Sequence, residues 1–407
     1  MPLKKLTLKA GVNRENTRYT NEGGWYECDK VRFRQGTPEK IGGWQRISQS
    51  VFQGVCRSIW NWVTLGSQNL VGLGTNLKFY IENGGGYYDI TPLRKAAATL
   101  TNPFTTVSGS ATVTVTDATG GYIVGDFVTF SNASAVGGLT IDGEFQVVDL
   151  SSSTSYTITA SSNATSSATG GGTVTAAYQI NVGPAFAIPL VGWGASSWGS
   201  GTWGIGAESV EEVRQWSQAN FGEDLIFGPR GGTLFYWDAS ATNSLSVRGV
   251  ALSSVVGASN VPTIQNLTLV SDISRFVFCF GCNELGSASL NTMLIRWSDQ
   301  EDATNWTPSA TNQSGDLILS NGTNIIAAKQ SRQEVLVWTD SALYALQYVG
   351  APAVWTAQLV GENTSIASQN AVAYANGIAY WMGRDKFYMY DGRTKPLRCD
   401  LRKFIFN

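Results

Sequence analysis

The 407-residue chain contains no histidine, so any chemistry it performs must run on carboxylates, lysine, tyrosine or cysteine. Ser-His-Asp and Cys-His nucleophile systems, a histidine general base and His-ligated zinc are excluded together. The densest acidic group is Asp299, Glu301 and Asp302 in RWSDQEDATNW. Paired carboxyls hydrolyse glycosides when they stand about 5–10 Å apart across the sugar, one with a raised pKa. Near neighbours in one loop meet that geometry only by accident, so catalysis is not expected there. Cys279 and Cys282 form a CxxC inside RFVFCFGC. A redox CxxC opens a helix after a strand, and a zinc site needs a second ligand pair. Neither context is present, and buried reduced thiols are expected. No Walker A sequence, dinucleotide fingerprint or EF-hand loop occurs. No cofactor, metal or catalytic residue is assigned, and the chain is expected to have no enzymatic activity.

The residues that remain suit contact better than turnover. Trp193, Trp198 and Trp203 stand five apart, each followed by glycine. That period fits neither helix nor strand, so the indoles follow an irregular path. Three indoles without a nearby base would leave a large apolar patch on a monomer. Burial at an interface is the preferred reading, with intrachain packing and glycan stacking as the others. Residues 1–57 carry eleven bases and five acids, and within them KVRFRQG alternates Val31 and Phe33 with Arg32 and Arg34. This is an apolar-in, basic-out strand on an arm, and Trp25 and Trp44 flank it. Trp193, Trp198, Trp203, Trp25, Arg32, Arg34 and Trp44 are therefore the interface candidates. A merely solvated basic face is the plainer alternative for the arm.

The elements that must position them read as strands. Helical patterning is nearly absent, glycine accounts for 45 residues, and β-branched and aromatic runs are bounded by turn pairs. The class is all-β. Five runs repeat one plan, an apolar strand, a tight turn and a strand ending in aromatics: residues 58–86, 215–240, 275–299, 334–350 and 377–393. Their anchors Tyr236, Trp297, Tyr344 and Tyr388 are 61, 47 and 44 residues apart. A period in the forties with several strands per unit is that of β-propeller blades. A large β-sandwich spaces its strands similarly, but recurrence of the whole block favours a propeller, complete, open, or closed by the N-terminal arm.

Charge divides the chain further. Charged residues make up 14% and the net charge is −2, which argues against non-specific duplex binding through a basic face. Between residues 96 and 213 there are eight acids and no lysine or arginine. The first part of this stretch is rich in Ser, Thr, Gly and Ala yet alternates as TVTVT, DFVTF and SYTITA, so a small β-sandwich or barrel inserted in the propeller is expected. The division is thus a basic arm at 1–57, a first blade at 58–95, the insert at 96–180, and the Trp/Gly loop with the remaining blades at 181–407. No run reaches the ~18 apolar residues of a membrane span, and MPLKKLTLKA lacks the apolar core of a secretory signal.

Residues 11–47, GVNRENTRYTNEGGWYECDKVRFRQGTPEKIGGWQRI, resemble the opening of tail nozzle proteins of short-tailed bacteriophages. RWSDQEDATNWTP followed by VWTDSALYALQYVG is similar to the propeller of that group, which includes the packaged-DNA stabilisation proteins of P22-like phages. The Gly/Trp repeat at 193–204 also occurs in such proteins. The resemblance spans residues 11–95 and 185–400 and leaves out the insert. It implies a homo-oligomeric, hexameric ring below the portal and head-to-tail adaptor, continuing the DNA channel and retaining the genome until ejection. A needle, plug or tail fibres would sit at the far end. Family chains commonly continue past a segment like LRCDLRKFIFN, where this one ends. The expectation is a virion tail component assembled in the host cytoplasm, whose arm faces protein and whose lumen passes genomic DNA without sequence-specific binding. The rival expectation is a carbohydrate-binding propeller or tail-associated adhesin, with or without glycan hydrolase activity.

Overall fold

The computed structural model describes residues 8–15, 17–46, 48–182, 215–272 and 274–406. Its strands form eight antiparallel sheets. Five of these are four-stranded meanders in simple chain order, at residues 56–89, 216–251, 265–318, 325–362 and 372–396, numbered here as blades 1 to 5. The first strands of all five blades line one central cavity, which makes the arrangement a five-bladed β-propeller. Every blade takes its four strands from one continuous stretch. The N-terminal hairpin, Val31–Arg34 with Thr37–Lys40, pairs only with itself, so the arm adds no strand to a blade among the described residues.

Blades bury both faces, and their strands are therefore continuous apolar runs instead of alternating ones. In Val277–Asn283 of blade 3 all seven residues are buried. Phe278 and Phe280 pack with Val335, Val337 and Tyr344 of blade 4. Val277 and Cys279 face the opposite way, with Ala219 and Ile226 of blade 2. Strict alternation would put Cys282 on the far side from Cys279. Gly281, with φ +57°, carries a bulge between Phe280 and Cys282 that returns the second cysteine to the first one's face. Blades 1 and 2 share Trp62, Phe79, Trp216, Phe227 and Trp237, and blades 4 and 5 share Leu336, Trp338, Leu343, Trp381 and Tyr388. Among the described residues no such cluster joins blade 5 to blade 1.

Between blades 1 and 2 the chain builds a sandwich, with sheets of four and five strands over residues 98–178. Its core holds Phe104, Val113, Val115, Phe130, Tyr156, Ile158 and Tyr178. In Thr112–Thr116 the valines are buried and the threonines half-buried or exposed, as period-two alternation requires of a sheet with one wet face.

Candidate interaction sites

The central cavity is the first place a propeller offers for function. It holds about 280 Å³ and is lined by Trp60 of blade 1, Gln218 of blade 2, Thr268 of blade 3, Lys329 of blade 4 and Asn370 at the start of blade 5. The Lys329 ammonium stands 5.8 Å from the Trp60 ring centroid, a cation–π contact between non-adjacent blades. The volume is that of a small-molecule site and passes no nucleic acid.

The acidic loop is a turn. Asp299 accepts backbone hydrogen bonds from Gln300 and Gln313, each at 2.8 Å. Asp302 caps Thr304 through its N–H and hydroxyl, and Glu301, at φ +61°, pairs with Arg275 on the surface. The carboxyls are spent on backbone donors and do not converge on a cavity. The CxxC thiols are unbridged and buried, and burial pushes Cys282 up to about 12. Among the described residues no three Cys, Asp or Glu side chains cluster as metal ligands.

The arm sorts its candidates. Trp25 is half-buried, 6.1 Å from Phe33 and held in a bridge to Val12, so it braces the arm internally. Arg32 pairs with Glu39 at 2.6 Å, and Arg34 points to solvent. Trp44 is 100% exposed, and Ile41 and Val51 are also exposed. Trp193, Trp198 and Trp203 lie outside the described residues.

Sequence reasoning missed the junction between insert and propeller. Lys78 of blade 1 is almost fully buried and reaches Asp89 of its own blade at 3.0 Å and Glu144 of the insert. Arg248, just before the last strand of blade 2, pairs with the same Asp89 at 3.3 Å. Arg94 clamps the fully buried Asp126 with two 2.7 Å bonds. Lys95 pairs with the fully buried Asp117, which also accepts from the Tyr178 hydroxyl at 2.8 Å. Burial alone would raise the Asp89 and Asp117 carboxyls. Arg248, Lys78 and Thr91 outweigh it at Asp89, as Thr119, Tyr178 and Lys95 do at Asp117, and both sit below the ordinary value. The signal was present in the sequence: the last bases before the base-free stretch are Arg94 and Lys95, at its edge.

Among the described residues no helix is long and apolar enough to cross a membrane. No family model and no curated protein matches the chain. Among solved structures it is similar to the endosialidase of phage phi92, with 15% identity and a TM-score of 0.27, over 80% of this chain and 52% of that one. The match thus takes in about half of that enzyme's length. It corrects one expectation: a structure this chain resembles is named for an enzyme, so the absence of enzymatic activity is left without support. A likeness this slight carries no argument about what the chain does.

Proposed function

We propose that the chain is a subunit of the tail of a short-tailed bacteriophage, of the nozzle type, working as a ring of copies below the portal or adaptor. The observation that carries this reading is the N-terminal arm. It presents a fully exposed Trp44 between the exposed Ile41 and Val51, while its stretch at Arg14 and Glu15 is held by the C-terminal segment and Ser48 and Phe52 are held by blade 1 of the same chain. Large apolar side chains held out from an anchored arm are of no use to a monomer and suit a subunit interface. The sequence resemblance of residues 11–47 falls on this same arm. The propeller's own cavity is too small for a duplex, so in such a ring the genome passes between the copies. Its other contacts would be a needle, plug or fibres at the distal end.

Native mass measurement of the purified chain, alone and with tail particles, tests the reading. A closed ring of several copies is expected, with Trp44→Asp shifting it toward monomer. A strict monomer that binds no tail component overturns it.

A further inference from the structure

Four of the five junctions between neighbouring blades are sealed by shared clusters of buried aromatic and aliphatic side chains. Among the described residues the fifth, between blades 5 and 1, shares no such cluster. Its described inner contact is a single hydrogen bond, 3.3 Å from Asn370 Nδ2 to the Arg57 carbonyl. On blade 1, Ile59 is 67% exposed and Val63 59% exposed, although both lie on the innermost strand. On blade 5, Ala373, Ala375 and Tyr380 are exposed as well. Ala373 and Tyr380 face each other across one register pair, so these residues share one side of the sheet. Among the described residues the ring therefore has a seam where these side chains of two sheet faces stand exposed.

What spans this seam is made from both chain ends. At the C-terminus, Arg402 Nε donates to the Asp385 carbonyl at 2.9 Å and Phe406 meets Phe387 edge-on at 5.3 Å, seating the short helix Arg402–Phe406 on blade 5. The arm grips that helix. The backbone N–H groups of Arg14 and Glu15 both donate to the Asp400 carbonyl at 3.1 Å. The Arg14 guanidinium lies 4.1 Å over the Phe404 ring, and Glu15 accepts from the Lys403 N–H at 2.6 Å. The arm's other end is fixed to blade 1, through Phe52 against Tyr80 and Tyr87 and through Ser48 donating to the Gly85 carbonyl. Between the two anchors, a side chain added at Gly42 or Gly43 would meet nothing within 4 Å, and residues 41–46 are exposed.

We infer that this terminal clasp is the closure of the propeller and that it is releasable. Propeller rings are ordinarily held shut by packing between every pair of blades; among the described residues, this junction is spanned by a strap whose exposed stretch contains Gly42 and Gly43. When the Arg14–Asp400–Phe404 contacts part, blade 5 separates from blade 1 as a unit and uncovers Ile59, Val63, Ala373 and Tyr380. The other four junctions stay sealed by their cores. This holds whether or not the chain works as a tail subunit.

Hydrogen exchange by mass spectrometry on the full chain tests it, comparing wild type with Arg14→Ala and Phe404→Ala. Phe404 is mostly exposed, so its loss leaves the cores untouched if Arg14→Ala folds poorly. Exchange should accelerate at least tenfold in Cys56–Val63 and in residues 372–396, with residues 265–318 and the insert unchanged. Arg14→Lys, which keeps a cation over Phe404, should lie between. Unchanged exchange at the seam, or acceleration spread evenly over all blades, overturns the inference.

Discussion

Replacing Lys78 by methionine keeps an apolar stem of similar length but deletes the ammonium that stands over the Phe127 ring and joins blade 1 to the insert. Removing one partner from a fully buried ion pair costs roughly 3–5 kcal/mol, because the remaining charge is left uncompensated. Two features reduce that here. Asp89 retains Arg248 at 3.3 Å, and Glu144 retains a 3.0 Å hydrogen bond from Gln179. Both carboxylates also reach solvent, at 22% and 28% of their side-chain surface. The expected loss is therefore about 2–3 kcal/mol, measured by urea unfolding at pH 7. If the cost comes from the orphaned carboxylate of Glu144, then adding Glu144→Gln to Lys78→Met should recover about 1 kcal/mol. In the wild-type background the same Glu144→Gln should destabilise. A Lys78→Met variant within about 0.5 kcal/mol of wild type, the usual range of a neutral surface change, would refute the reasoning. So would a double variant no more stable than the single one.

Three further outcomes follow from the same geometry. Asp89 and Asp117 have folded-state pKa values below the unfolded one near 3.8. Their stabilisation is complete above that value and vanishes as pH falls through the folded values. Urea midpoints should therefore be flat from about pH 7 to 5 and fall below about pH 4, and a midpoint that declines between 7 and 5 contradicts this. A thiol reagent at pH 8 should label the half-exposed Cys28 and Cys399 while sparing Cys279 and Cys282 until the chain unfolds; rapid native labelling of either buried thiol counts against the described packing. Asp299→Ala removes the acceptor of two 2.8 Å backbone bonds and should cost about 1–2 kcal/mol by calorimetry, with Asp299→Asn keeping part of it.

The blades were legible because their signal is local. Tyr236, Trp297, Tyr344 and Tyr388, the aromatic anchors of the sequence repeat, all fall in the third strand of their blades. The strand fits between two neighbouring sheets, and each blade needs a large ring at that layer. The wider interval between the first two anchors reflects the two short 3-10 turns and long connection around residues 244–264. The clasp and the insert junction were not legible, for one reason. Their partners are far apart in sequence: Lys78 and Glu144 by 66 residues, Arg248 and Asp89 by 159, Glu15 and Lys403 by 388. Periodicity carries no information about such pairs. Trp25 shows the same limit at short range. Its type suggested an interface, and the hairpin beside it took it up as a brace against Phe33.

The charge segregation has a different meaning once the partners are known. A base-free stretch with eight acids would suit a module that offers negative charge to a cationic partner. Were that its role, the carboxylates would stand exposed. Instead Asp117 and Asp126 are fully buried, and Asp117, Asp126 and Glu144 take Lys95, Arg94 and Lys78 from the adjoining chain of blade 1. Three of the stretch's acids thus fix the sandwich to the propeller. What its wet face offers is mostly hydroxyls, such as those of Thr112, Thr116 and Thr159. Contacts made through such a face depend on shape and neutral hydrogen bonds, so they should persist at salt concentrations that screen ion pairs. Three of the insert's acids hold it in place by being used inward, and that same use leaves Asp142 and Asp149 as the exposed charges of its described surface, among many hydroxyls.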